Sequence, residues 1–339
     1  MKASFIQHNK PSVGGLELAA IKKVISSSKL SMGNETQMFE NEFCKKIGLP
    51  NGHAIAVSSG TAALYLAFRS IGVANKKIAI PSYTCTAVKN SLQWAGGIPQ
   101  YIDNKKMDFN IDLDILNADK TIKAALIQHT FGIPVDMHQI NTSLPFIEDC
   151  CQSLGALYDG KSIGLFGELG VFSFYATKMI TTGGQGGMVV SKDKKRIDEI
   201  RDFIEFDMKN DNIVRFNFQI TDLQSAIGRV QLKKLDSFIQ RREEIANKYI
   251  DAGIKIYESK KNKKTKQIFY RAINFNNNPN QLIAKCKKQG VSCIIPIEDS
   301  ELLKKTPNSL ELSRNTVSIP VYPTLTNLQV KKIIKSILQ

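Results

Sequence analysis

The sequence predicts an α/β protein: a buried, mostly parallel sheet flanked by helices, followed by a small C-terminal α/β unit. Three observations lead there. Apolar runs of strand length recur between residues 54 and 190, with helical patterns between several of them. Such runs suit strands covered on both faces. The character of the chain changes after about residue 255, where lysines and asparagines gather. Finally, 339 residues with 42% apolar and 23% charged composition suit two domains, or one large domain with an appendage, at roughly 100–200 residues per domain. The expected division is 1–240 and 241–339.

Taken in order, Leu16, Ala19, Ile21, Val24 and Ile25 mark one face of a helix over 15–29, which Ser31-Met32-Gly33-Asn34 breaks. Phe39, Phe43 and Ile47 mark a second helix over 35–47. Ala54-Ile55-Ala56-Val57 is a short apolar strand ending in Ser58-Ser59-Gly60-Thr61, and a helix with Leu64, Leu66 and Ile71 follows at once. Further strands are expected at 77–80, 99–102, 124–127, 145–147, 171–174 and 187–190. Residues 221–239 form a long helix through Leu223, Ile227, Val230 and Leu235. Beyond it, Asn274-Phe275-Asn276-Asn277-Asn278-Pro279-Asn280 reads as a loop. A helix over 281–288, a strand from Val291 to Ile295 and a last helix over 327–338 complete the chain.

Composition excludes wholesale disorder, collagen and coiled coil. No apolar run approaches the ~18 residues a membrane span needs. Met1 to Lys10 lacks the pattern of a secretory signal, so a cytoplasmic location is expected and no membrane partner. The six cysteines form no CxxC pair and are expected to be reduced, with no metal bound. A formal charge of +15 attracts anions, phosphorylated small molecules among them. The densest basic run, Lys260 to Lys266, has no aromatic residue to stack on a base. It reads as a solvated loop, and no nucleic-acid partner is expected.

Four spots carry chemistry, each at a strand end, where open α/β sheets place their sites. Ser58-Ser59-Gly60-Thr61 turns from a strand into a helix, whose free N–H groups favour a phosphate. Glu148-Asp149 closes an apolar strand; a carboxylate there could hold a metal, a ribose or a protonated ring nitrogen, or simply cap the next helix. Lys178 closes an aromatic strand, Val171-Phe172-Ser173-Phe174. Desolvation there would lower its pKa and make it a nucleophile, whereas a snorkelling lysine is the plain alternative. In Thr181-Thr182-Gly183-Gly184-Gln185-Gly186-Gly187 the glycines permit close backbone approach or positive φ. Together, a phosphate cradle, a strand-end carboxylate and a buried lysine are the equipment of a pyridoxal-phosphate enzyme.

These residues also resemble a known family, the DegT/DnrJ-like sugar aminotransferases of the aspartate-aminotransferase fold, which is fold type I. The likeness runs from about residue 8 to 240. It includes Pro11-Ser12-Val13-Gly14, Ser59-Gly60-Thr61-Ala62-Ala63-Leu64, Pro81-Ser82-Tyr83-Thr84 and Gly132-Ile133-Pro134-Val135-Asp136-Met137. Glu148-Asp149-Cys150-Cys151-Gln152, the block from Phe172 to Lys178, and Asn217 to Gln231-Leu232 complete it.

The resemblance implies a role for each residue. Lys178 would be the Schiff-base lysine and proton shuttle, Asp149 the partner of the pyridine nitrogen, and Gln152 a neighbour of the ring hydroxyl. Gly60, Thr61 and Ser173 would hold the phosphate. Cys85, with Tyr83 nearby, stands where the family often has a ring-stacking aromatic. Asn217 would reach the phosphate in the neighbouring subunit, which implies a homodimer with shared active sites. The implied reaction carries an amino group from glutamate to a keto sugar, and a nucleotide-linked sugar is the expected acceptor. Rival readings are a sugar dehydratase, against which Lys178 argues because relatives with that activity carry histidine there, and a degenerate regulator that binds the cofactor or the sugar.

Overall fold

A computed structural model describes residues 5–141, 143–259 and 264–339. Residues 1–4, and Lys260 to Lys263 of the basic run, lie outside the described residues.

Two helices open the chain, α1 (Gly15–Ser27) and α2 (Asn34–Ile47). Then come β1 (Ala54–Val57), α3 (Gly60–Ser70), β2 (Lys77–Pro81), α4 (Thr86–Trp94), β3 (Ile98–Ile102), α5 (Leu113–Ala118), β4 (Ala124–Gln128) and β5 (Phe146–Asp149). A small hairpin, β6 (Leu157–Tyr158) and β7 (Lys161–Ser162), precedes β8 (Leu169–Ser173), β9 (Gly187–Val190) and α6 (Lys194–Ile204). The remaining elements are α7 (Asp222–Asp251), β10 (Thr265–Lys266), β11 (Ala272–Phe275), α8 (Pro279–Lys288), α9 (Pro307–Arg314), β12 (Thr316–Ile319) and α10 (Asn327–Leu338).

The main sheet has seven strands in the order β1-β9-β8-β5-β4-β2-β3. The pairs from β8 to β3 are parallel, and β9 runs antiparallel to both of its neighbours. Alternate residues face opposite layers, as strand geometry requires. Ile55, Val57, Ile78, Ile80, Leu126 and Ile147 pack with Leu64, Leu66 and Phe203 on one side. Ala54, Ala56, Ala79, Ile127 and Phe172 meet Phe39, Phe43, Leu232 and Leu235 on the other. A third cluster joins Ile6, Ile245, Tyr249, Val291, Ile319 and Ile333 around the two-stranded sheet β11–β12.

Four expectations need correction. The long helix runs on from 239 to Asp251, because Arg242, Ile245, Ala246 and Tyr249 continue its buried face beneath a charged surface. Asn274-Phe275 belongs to β11, paired with Val317 and Thr316, and is not loop. The run from Val291 to Ile295 makes only isolated bridges, at Val291 and Ile294. Lastly, the basic run does not end as free loop: Thr265 and Lys266 pair with Tyr158 and Leu157.

The first described residues form a strap. Ile6 N–H donates to the Gly290 carbonyl and Ile6 C=O accepts from Ser292 N–H. His8 Nε2 lies 2.9 Å from Ser318 Oγ, and Asn9 Nδ2 donates to the carbonyl of Thr177, beside Lys178. The strap thereby ties β12 to the turn that carries the lysine.

Candidate active site

The carboxyl ends of β1, β5 and β8 share one edge of the sheet, and the residues singled out above lie along it. At the end of β1, Ser59 caps α3 by accepting from Ala62 N–H at 3.1 Å. The first turn of α3 aims its remaining N–H groups out of the helix end. Gly60 makes this approach possible: a Cβ there would stand 2.8 Å from Ser173 Cβ. Gly187 does the same from the opposite side, since its Cβ would meet the Ser59 carbonyl oxygen at 2.4 Å. The glycine loop thus serves close approach, with Gly183 and Gly184 also at positive φ. Thr61 is exposed on the first turn, and its carbonyl accepts from Ser91 Oγ at 3.2 Å. Gly60, Thr61 and Ser173 therefore frame a small open cradle.

Glu148 and Asp149 part company because adjacent strand residues point to opposite faces. Glu148 is a structural carboxylate. It accepts from His129 Nε2 and from the N–H groups of Gly164, Phe166 and Gly167, all within 3.0 Å. His129 Nδ1 in turn accepts from Val135 N–H, so the ring hydrogen sits on Nε2. Glu148, His129 and the nearby Cys150 are wholly enclosed. Asp149 faces the site instead. One of its oxygens accepts from Cys151 N–H at 2.9 Å, a capping bond of the kind expected for an Asp at a strand end.

Lys178 is partly buried in the turn after β8, its N–H donating to the Tyr175 carbonyl. Burial works against its charge, yet Tyr270, Cys151, Cys85 and Asp149 together outweigh burial and hold the amine above its usual pKa. The expectation of a lowered pKa is thus corrected: desolvation is present, but the neighbouring acidic groups that favour the charged amine prevail. The same influences show that Asp149, Cys85 and Cys151 lie within electrostatic reach of the amine.

Gln152 Oε1 accepts from Phe131 N–H at 3.0 Å, which braces a turn where Phe131 has φ 56°. Tyr83 is fully buried, its ring against Phe109 and Phe131, and burial pushes its phenol well up. It has no face left for a cofactor ring, whereas Cys85, at the N-cap of α4, is open. Asn217 is exposed, and its Oδ1 accepts from Gln219 N–H. Its segment runs beside the cradle, since Phe218 C=O accepts from Ser58 N–H. Among the described residues the side chain bonds none of the other site residues, and Phe216 and Phe218 stack beside Trp94, itself 54% exposed.

Two residues of the site were not foreseen. Tyr270 lies with its ring centre 5.5 Å from Lys178 Nζ. Burial alone would raise its phenol pKa, but Lys178, Arg271 and Arg242 bring it below the usual value. Arg271 follows it, with its guanidinium 5.7 Å from the Tyr270 ring and 5.6 Å from that of Phe131. A signal existed in Phe269-Tyr270-Arg271, where a cation interrupts an apolar stretch much as Lys178 does.

Comparison with known proteins adds independent findings. The DegT/DnrJ/EryC1/StrS aminotransferase family matches residues 11–338. A GDP-perosamine synthase of Escherichia coli is 30% identical over 365 residues, covering 98% of both chains. The spore coat polysaccharide biosynthesis protein SpsC of Bacillus subtilis is 28% identical, covering 98% of this chain and 96% of its own. Among solved structures, the aminotransferase TlmJ of Streptoalloteichus hindustanus superposes with a TM-score of 0.92 at 23% identity, covering 98% of each chain. At 24% identity, Helicobacter pylori PseC, an aminotransferase of pseudoaminic acid biosynthesis, gives 0.88 over 99% of this chain and 98% of its own.

Proposed function

The chain belongs to the DegT/DnrJ/EryC1/StrS aminotransferase family, and from that premise we propose that it moves an amino group from glutamate to the ketone of a nucleotide-linked sugar. It is a pyridoxal-phosphate-dependent aminotransferase of amino-sugar biosynthesis with the α/β architecture of fold type I. Among the described residues no helix is long and apolar enough to cross a membrane.

The residues present fit the cofactor. Gly60 lets the N-terminus of α3 approach Ser173 so closely that a Cβ would collide with its side chain, which sets helix N–H groups and a hydroxyl side by side as a phosphate would need, and a carboxylate and an amine share one electrostatic field. When bound, pyridoxal phosphate supplies an electron sink that makes loss of the donor's α-proton feasible. Gly60, Thr61 and Ser173 would hold the phosphate. Asp149 favours a proton on the ring nitrogen, by the opposite-charge effect. Gln152 and the exposed Cys85 would flank the cofactor ring. Lys178 takes the proton from the donor carbon and returns one to the sugar carbon, as a positioned acid–base group does. The observation that carries this reading is Lys178 held beside Asp149 and the cradle on one sheet edge.

We propose further that two copies share their sites, with Asn217 reaching the partner's phosphate. Its exposure and the exposed aromatic cluster around Trp94 support an interface there. The division into a large domain, 1–240, and a small one, 241–339, is part of the same reading, with α7 continuous across the boundary. A cytoplasmic location accords with the six free cysteines.

The test is spectroscopic. Purified protein loaded with cofactor should be yellow and should bleach with glutamate. Nucleotide-linked 3-keto and 4-keto sugars should then restore the colour and yield an amino sugar. A protein that never bleaches would favour the regulatory alternative.

A further inference from the structure

Two guanidinium groups, Arg242 and Arg271, lie within electrostatic reach of Tyr270, and neither forms an ion pair with a carboxylate among the described residues. Arg242 is accounted for. It is 2% exposed, and its Nη1 donates to the carbonyls of Phe269, Tyr270 and Val321. It fixes the backbone that presents Tyr270. Arg271 is different. Among the described residues its only hydrogen-bond contacts are two long ones from Nη1, at 3.4 Å to His8 Nε2 and 3.4 Å to Ser318 Oγ. Its Nε is buried without a partner.

The neighbours of Arg271 do not neutralise it. They are the faces of Tyr270 and Phe131, a serine hydroxyl and an imidazole. Burial, Arg271 and Arg242 hold His8 down at about 3, so the imidazole is uncharged at neutral pH. A buried donor with nothing to donate to carries a desolvation cost that an arriving oxyanion would offset. The place is also right. Arg271 and Lys178 both lie against the Tyr270 ring, and Arg271 lies against the ring of Phe131, whose N–H Gln152 holds.

We propose that Arg271 is the oxyanion subsite of the substrate pocket, its planar fork binding a carboxylate or phosphate group of a substrate while Lys178 works on the adjacent carbon. This rests on the reading of Lys178 as the catalytic amine. The fork geometry of arginine matches both kinds of anion. Two substrates could bring one: the amino donor its carboxylate, the nucleotide-linked sugar its diphosphate.

The test compares cofactor-loaded wild-type protein with Arg271→Gln and Arg271→Lys. Two probes are read without turnover, as shifts of melting temperature: glutarate for the carboxylate and inorganic pyrophosphate for the phosphate. Bleaching by glutamate is read beside bleaching by propylamine, an amine that carries no anion. If the donor is the source, Arg271→Gln should lose the glutarate shift and need about 10–100-fold more glutamate, while its response to propylamine stays that of the wild type. If the sugar is the source, the pyrophosphate shift should vanish instead. Arg271→Lys, which keeps the charge but not the fork, should fall between, and it carries the test if Arg271→Gln does not fold. Wild-type shifts and glutamate dependence in both variants would overturn the proposal, as would a wild type that responds to neither probe. Wild-type protein that shifts with a probe yet never bleaches would overturn the aminotransferase reading and leave the subsite standing.

Discussion

Lys178 Nζ stands 5.5 Å from the centre of the Tyr270 ring, although 92 residues separate them in the chain. The amine comes from the turn after β8 and the phenol from the segment leading into β11. Each favours the charged form of the other, so Lys178 is held above its usual pKa and Tyr270 below its own.

Removing the amine should stop the chemistry and spare the fold. Lys178→Ala is expected to lose at least about 10²–10⁴-fold in turnover, the usual range for a positioned acid–base group. It should still bind the cofactor through the phosphate cradle, measurable by equilibrium dialysis. Wild-type turnover in the variant would remove Lys178 from the mechanism.

Gly187→Ala tests the cradle from behind. The added Cβ would stand 2.4 Å from the Ser59 carbonyl oxygen and 3.0 Å from Gly60 N. Neither atom belongs to a flexible side chain, so the backbone must shift. Such overpacking costs about 1–3 kcal/mol, and cofactor affinity should fall with it. Denaturant unfolding and cofactor titration measure the two effects; if both stayed at wild-type values, the close approach would have no consequence.

Acid should find a weak point at His8. Burial, Arg271 and Arg242 lower its pKa from the usual 6.5 to about 3. Between those values the unfolded chain binds a proton that the folded chain refuses. Stability therefore falls as pH drops through that window. His8→Gln cannot titrate, so its melting temperature should decline less than that of the wild type between pH 7 and about 4. Parallel declines would count against the assignment.

Subunit sharing is open to complementation. Lys178→Ala and Asn217→Asp should each be weak alone, the second because a carboxylate would repel the phosphate. Their segments can lie in one chain or across two, since Phe218 also bonds Ser58 of its own chain. Mixed and exchanged, the variants should recover activity toward one working site per dimer. No recovery, with heterodimers present by mass analysis, would place the site within one chain.

Apolar runs made the central sheet legible: Ala54–Val57 and Gly187–Val190 fall where the sequence predicts them. Such strands are covered on both faces, so their composition is unambiguous. Thr316–Ile319 was hidden because two of its four residues carry hydroxyls, and Thr316 and Ser318 are buried all the same. The helix beyond residue 239 was masked by Gln240-Arg241-Arg242-Glu243-Glu244, whose charges conceal that Arg242 points inward. Within the site, Asp149 and Lys178 were readable as polar residues closing apolar strands. Glu148 could not be told from Asp149 by type; only the pleat separates them. Tyr270 and Arg271 depend on how a distant segment folds back, which no local pattern encodes.

The strap has a practical bearing. Asn9 holds the Thr177 carbonyl, His8 meets Ser318 on β12, and Ile6 bonds Gly290 and Ser292. The opening residues therefore act as a tether between the half of the molecule that offers Lys178 and the half that offers Arg271. An affinity tag fused close ahead of Phe5 would pull on that tether, so tagging at the far end, after α10, is the gentler choice for functional work.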